Sequence, residues 1–278
     1  MKPLMLGLAI AALVLTAPLM AQTPGKLPAA PKGFDKKRDN IPRGKVETIE
    51  YDSKSVGAKR KMVIYTAPGL EAKAKVPVFY LLHGAGDDET GWKNKGSADI
   101  ILDNLYADKK LVPMIVVMPN GFANKGGGKG KGGGKGGGGD AFENDLLKDI
   151  KPYVESHYPV KSDRESRALA GLSMGGGQAL RIGLKNMDQF AWVGGFSSAL
   201  GGNPELIKDG PDATKKLRLL WVSCGDTDGL MKGSEAFHVS LDKLKVPHVW
   251  HIDSGGHTWP VWKNDLYLIS QMLFRDKK

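Results

Sequence analysis

A chain of 278 residues, 41% hydrophobic and 25% charged, is large enough to bury one full core and has the composition of an ordinary globular protein. Its formal charge of +10 comes from 40 basic against 30 acidic side chains. The basic residues concentrate in Lys26 to Lys45 and Lys125 to Lys135 without a pattern of interleaved aromatics, which argues against nucleic-acid recognition and favours an acidic polysaccharide or anionic surface. A single cysteine, Cys224, excludes an intrachain disulfide, and its place at the end of an apolar run marks a buried small hydrophobe.

The N-terminus reads as a secretory signal. Lys2 supplies the positive start, Leu4 to Leu15 the apolar stretch, and Leu19-Met20-Ala21 precedes a cleavage expected after Ala21, giving a signal over 1–21. The apolar run falls short of the ~20 residues of a membrane span, so the expectation is a secreted or periplasmic protein without stable membrane insertion. Residues 22–45, rich in Pro, Lys and Gly and without periodicity, read as a disordered leader.

From there to residue 276 the pattern is that of one domain. Val46 to Tyr51 and Lys61 to Tyr65 are predicted as an antiparallel edge. Val76 to Leu82 and Val112 to Met118 are continuous apolar runs, as buried parallel strands require. Ser97 is placed to cap a helix carrying Ile100, Ile101, Leu102 and Leu105, and Phe142 to His157 is predicted helical. Between them the insertion 124–140, built from Gly and Lys, lacks the G-K-[ST] of a nucleotide loop and reads as flexible. Strands at Arg167 to Gly171, Phe190 to Phe196, Leu217 to Ser223 and His248 to Ile252 alternate with helices at Gln178 to Leu184, Glu235 to Leu244 and Trp262 to Phe274. Such alternation predicts an α/β fold: a mostly parallel central sheet with helices on both faces, in three layers.

Working groups in such sheets gather at the carboxyl ends of the strands. Gly171-Leu172-Ser173-Met174-Gly175 is a G-x-S-x-G between a strand and a helix, a turn that lifts a serine hydroxyl clear of the sheet. A serine needs a base to take its proton and an acid to orient that base, in the chain order Ser, Asp or Glu, His. His257, in the loop after the last strand, fits the base. His238, mid-helix, and His248 and His251, within a strand, are expected in packing or solvent; residues three apart on a strand face opposite sides, so H-x-x-H there is a poor metal pattern. Asp226 and Asp228 both follow the preceding strand and both qualify as the acid. Backbone amides of Met174 and of Ala85, after His83-Gly84, are placed to form an oxyanion hole.

The stretches VPVFYLLHGAGDDETGW, RALAGLSMGGGQALRIGL, SCGDTDGL and GGHTWPVWK together resemble the esterases of carbohydrate esterase family one, in particular feruloyl esterase domains of xylan-degrading bacteria, within the α/β-hydrolase superfamily. The resemblance runs from about Val46 to Phe274. It implies Ser173 as nucleophile, His257 as base, Asp228 rather than Asp226 as acid, no cofactor or metal, and an ester-bearing polysaccharide or small aromatic ester as substrate. Trp92, Trp259 and Trp262 lie near strand ends and are candidates to stack on a sugar or phenolic ring. Similar sequences also include acyltransferases and polyester esterases, and a non-catalytic carbohydrate-binding protein is a further reading.

Overall fold

The computed structural model describes residues 27–71, 73–123, 138–201 and 205–275; the expected signal segment and the Gly/Lys-rich insertion as far as residue 137 lie outside them. Among these residues eight strands form one sheet: β1 (Lys45–Ser53), β2 (Ala58–Thr66), β3 (Val78–Leu82), β4 (Ile115–Pro119), β5 (Arg167–Leu172), β6 (Trp192–Phe196), β7 (Leu219–Gly225) and β8 (Val249–Asp253). The order across the sheet is β1-β2-β4-β3-β5-β6-β7-β8. The β1–β2 and β2–β4 pairs are antiparallel and every later pair is parallel. The helices are α1 (Gly91–Asn94), α2 (Ala98–Ala107), α3 (Gly138–Asp145), α4 (Lys151–His157), α5 (Ser173–Lys185), α6 (Gly210–Lys216), α7 (Met231–Lys243) and α8 (Trp259–Ser270).

The apolar strand runs divide by period two between two cores. Val78, Tyr80 and Leu82 face Phe142, Leu180 and Phe237 on one side of the sheet. Phe79 and Leu81 face Ile101, Leu105 and Leu266 on the other. The three-layer α/β architecture expected from the sequence is therefore the one observed.

Three local expectations differ. The described part of the supposed disordered leader is packed: Leu27, Ala30 and Phe34 join the second core. The Ala30 amide donates to Asn264 Oδ1 at 2.9 Å, and Asn104 Nδ2 donates to the carbonyls of Phe34 and Lys36 at 2.8 Å. A few spaced apolar residues suffice to order this segment because side chains of the domain satisfy its backbone. Ser97 does not cap α2; it sits at φ +52° without a side-chain cap bond, turning the chain from α1 into α2. α6, for which the sequence reading made no assignment, opens at Gly210-Pro211 and is capped by the Asp209 carboxylate. The helix predicted over Phe142 to His157 starts earlier and passes through a π-helical segment, Leu146–Ile150.

Asp145, at the start of that segment, is fully buried with Arg60 beside it (Nε–Oδ2 3.0 Å). The Tyr51 hydroxyl donates to the same Asp145 oxygen at 2.8 Å, and burial pushes that phenol's pKa up. The Arg60 guanidinium also donates to the carbonyls of Phe122 and Asn120, both at 2.6 Å, pinning the loop after β4. Removing one partner of a buried ion pair leaves the other uncompensated. Arg60→Ala should therefore lower the unfolding free energy by about 3–5 kcal/mol, read by urea denaturation; a change under about 1 kcal/mol would mean that the pair is not buried as described.

Candidate active site

β5 ends at Leu172, in extended conformation (φ −107°, ψ 147°), and Ser173 begins α5 at φ +52°. That left-handed conformation is costly for a side chain other than glycine. Close contact holds it in place. A Cβ on Gly175 would lie 2.3 Å from the His83 carbonyl oxygen, and one on Gly171 would lie 2.7 Å from the Gly175 carbonyl and from Leu82 Cβ. The two glycines of the motif are thus required by the approach of α5 to β3 and β5.

The three side chains singled out in the sequence meet. His257 Nε2 lies 2.9 Å from Ser173 Oγ, and His257 Nδ1 lies 2.8 Å from Asp228 Oδ2. The Asp228 side chain is wholly buried while the His257 ring is 38% exposed, so the carboxylate is dry and the imidazole reachable. Burial pushes the Asp228 pKa up, but the Leu230 amide, the Ser197 hydroxyl and His257 outweigh it and hold the carboxyl below its ordinary value. An ionised Asp228 can only accept, so His257 carries its proton on Nδ1 and presents the Nε2 lone pair to the serine hydroxyl. Asp226 does other work: its Oδ1 accepts the Gly255 amide at 2.8 Å and shapes the loop that carries His257.

His83 organises the facing loop. Gly121 N–H donates to His83 Nε2 at 2.9 Å, which leaves the ring proton on Nδ1, donating to the Gly84 carbonyl at 2.8 Å. Burial lowers the pKa of His83, in keeping with this neutral tautomer. In a trans peptide the carbonyl and the next N–H point opposite ways, so binding Gly84 O also fixes the direction of the Ala85 N–H. The loop passes directly against the nucleophile position, since a Cβ on Gly84 would lie 3.2 Å from Ser173 Cβ. Met174 lies in the first turn of α5, whose amides have no intrahelical acceptor.

The tryptophans correct the sequence reading. Trp92 is completely buried and its indole N–H donates to the Leu82 carbonyl at 2.9 Å, so it cannot stack on a substrate. Trp262 is buried and supports the His257 ring edge-to-face at 4.8 Å. Trp259, half-buried, packs edge-on to both other indoles and alone of the three retains a solvent-facing surface. Two contributors escaped the sequence reading. Ser197, at φ +44° beyond β6, supports Asp228, and its only signal was the Gly194-Gly195-Phe196-Ser197 strand end. His83 was noted as part of a strand end, but its ring bonds needed the fold. Cys224 is buried and its thiol is pushed up to about 11, which leaves it unreactive.

A mostly parallel sheet with a serine on a left-handed strand-to-helix turn, and His and Asp brought to it from later strand ends, defines an α/β hydrolase. The chain belongs to the putative esterase family, whose sequence profile matches residues 53–273. It is 33% identical over 261 residues to an endo-1,4-beta-xylanase/feruloyl esterase from Xylanibacter ruminicola; the match covers 90% of this chain and 34% of that protein, so the chain spans about a third of this relative's length. Among solved structures, a CE1 ferulic acid esterase from Anaeromyces mucronatus in complex with ferulic acid superposes with a TM-score of 0.76 at 27% identity, covering 88% of this chain and 96% of that one. An S-formylglutathione hydrolase from Staphylococcus aureus shares the fold, with a TM-score of 0.65 at 17% identity and coverage of 84% and 99%.

Behind the His257 loop lies a buried polar cluster. His251 Nε2 lies 3.2 Å from Asp253 Oδ1, which also accepts Asn264 Nδ2–H at 2.6 Å. Asp265 is fully buried; desolvation and the neighbouring Asp253 charge push its carboxyl well above the ordinary range, and Ser223 and Trp221 pull it back only in part. An acid whose folded pKa is raised contributes its full stability below the unfolded value and loses it as pH rises towards the folded value. Asp265→Asn removes that dependence. The Tm of the variant relative to the parent should therefore increase between about pH 4 and pH 8, measured by calorimetry; a difference that is constant or shrinks would show Asp265 to be ionised when buried.

Proposed function

We propose that this protein is an exported serine esterase that hydrolyses feruloyl or acetyl esters on plant cell-wall polysaccharide, xylan in particular, through an acyl-enzyme and without a cofactor. The observation that carries the reading is the continuous hydrogen-bonded relay from buried Asp228 through His257 to Ser173. Ser173 Oγ attacks the ester carbonyl as His257 Nε2 takes its proton. The resulting oxyanion is held by the Met174 and Ala85 amides, each such donor typically contributing about 3 kcal/mol to the transition state. The protonated His257, stabilised by Asp228, gives its proton to the leaving alcohol. Water then enters, is deprotonated by the same ring, and releases the carboxylic acid.

The substrate class rests on similarity to the xylanase/feruloyl esterase and the ferulic acid esterase. Two features of the site suit it. Trp259 offers a half-exposed indole for an aromatic acyl group or sugar face. A cleft of about 320 Å³ lined by Lys61, Asp87, Glu89, Asn120 and Phe122 adjoins the His83 loop and presents polar groups suited to sugar hydroxyls. Export is inferred from Met1 to Ala21.

The test compares methyl ferulate, acetylated xylan and p-nitrophenyl acetate as substrates for the parent and for Ser173→Ala. The parent should turn over the first two, and Ser173→Ala should lose roughly 10⁴–10⁶-fold in kcat on every substrate, together with labelling by an organophosphate, while its circular dichroism is unchanged. Undiminished turnover by the variant rejects the nucleophile; hydrolysis confined to p-nitrophenyl acetate rejects the polysaccharide-ester substrate.

A further inference from the structure

At the opposite end of β8 from His257, a second constellation of ionisable side chains takes no part in the chemistry above. We infer that His238, Asp242 and His248 form a binding site for a divalent transition-metal ion of the Zn²⁺ class, which ties α7 to the start of β8.

The hydrogen bonds dictate the ring protonation. His248 Nδ1 lies 2.8 Å from the Val246 carbonyl oxygen, so Nδ1 carries a proton and, in the neutral ring, Nε2 is a lone pair. His238 Nδ1 faces that lone pair at 2.7 Å. The other nitrogen of His238, Nε2, faces Asp242 Oδ2 at 3.5 Å, and with the proton there Nδ1 presents a second lone pair to the first. The same carboxylate presents Oδ1 to His248 Nε2 at 4.0 Å. Two imidazole lone pairs aimed at each other beside a carboxylate form an arrangement that a cation between them completes.

Three further observations suit a metal. The His238 ring is preorganised by stacking on Trp250, with ring centroids 5.0 Å apart and planes 9° from parallel. The His248 Nδ1–H bond to a backbone carbonyl is the outer contact that orients metal-bound histidines and raises their basicity. Tetrahedral coordination with bonds of about 2.0–2.1 Å sets ligand atoms about 3.3 Å apart; the 2.7 Å between His238 Nδ1 and His248 Nε2 and the 4.0 Å from His248 Nε2 to Asp242 Oδ1 bracket that spacing. His238 and Asp242 stand one helical turn apart on α7, so both project from one face of the helix. Asp242 is 61% exposed and His248 5%, giving the ion one open side, where water fills the fourth position. The H-x-x-H of the sequence is not the source of the site. His251 turns away to Asp253 and Trp221, and the partner of His248 comes from the helix instead.

The site lies far from Ser173 along the strand, so its occupancy should alter stability and leave turnover unchanged. The experiment uses the full chain without an affinity tag, stripped with EDTA and titrated with ZnCl₂ by calorimetry and with Co²⁺ by visible absorption. One ion should bind per chain, with the d–d bands of a nitrogen- and oxygen-ligated Co²⁺. At a hundredfold excess over Kd, Zn²⁺ should raise Tm by about 5 °C or more, with ester hydrolysis changed less than twofold. His248→Gln and Asp242→Asn should each weaken binding at least tenfold; Asp242 is exposed, so its variant keeps the test sound if the other misfolds. Absence of saturable binding to the parent, equal affinity in the variants, or binding that only inhibits hydrolysis and so resides on the triad would each overturn the assignment.

Discussion

The site depends on how closely the first turn of α5 approaches β3 and β5. Two glycines allow that approach, and the serine between them is left at positive φ with its hydroxyl off the end of the sheet. Strain of this kind costs on the order of 1–3 kcal/mol and persists only where the surroundings over-determine it. Here the surroundings are the two cores, which clamp β5 from both faces through Leu169 on one side and Ala168, Ala170 and Leu172 on the other. Packing on both faces of the sheet therefore fixes the geometry of Ser173.

A chain of polar contacts does the same for the loop opposite. Arg60, neutralised by buried Asp145, holds the carbonyls of Asn120 and Phe122. Between them Gly121 offers its amide to His83, and His83 binds Gly84. Each link leaves the next with one permitted orientation, so an ion pair below the antiparallel edge helps direct an amide beside the serine. The edge strands β1 and β2 thus have a positional role in the site as well as closing one side of the sheet.

How much of this the sequence carried follows from the range of the interactions. Buried parallel strands announce themselves as apolar runs, and the serine turn as a local glycine pattern, because the causes lie within a few residues. The expected order of serine, acid and histidine likewise needs only topology, whereas the preference for Asp228 over Asp226 came with the family resemblance. Trp92 in α1 and Trp262 in the first turn of α8 follow strand ends in the chain, yet their exposure depends on which neighbours cover them, as Phe196 and Trp259 pack on Trp92. The segment 27–44 looked featureless because its anchors, Asn104 and Asn264, lie 60 or more residues away in the chain. The left-handed Ser97 and the π-helical segment Leu146–Ile150 answer to tertiary constraints that hydrophobic periodicity does not register.

Three aspartates near the carboxyl ends of β7 and β8 and on α8 show why residue type alone could not assign the acid. Asp226, exposed, caps a loop amide and keeps the His257 loop in shape. Asp265, fully buried against another carboxylate with only Ser223 and Trp221 to assist it, is driven towards its neutral form. Asp228 is buried too, but it receives an amide, a hydroxyl and an imidazole N–H, and stays charged. A buried carboxylate remains ionised only when donors replace the water it has lost. Those donors, Leu230 and Ser197, come from the turn after β7 and the end of β6, so the charge that orients His257 exists because neighbouring strand ends converge there. A carboxylate at the same chain position without them would behave as Asp265 does, and the imidazole would have no anion to hold it.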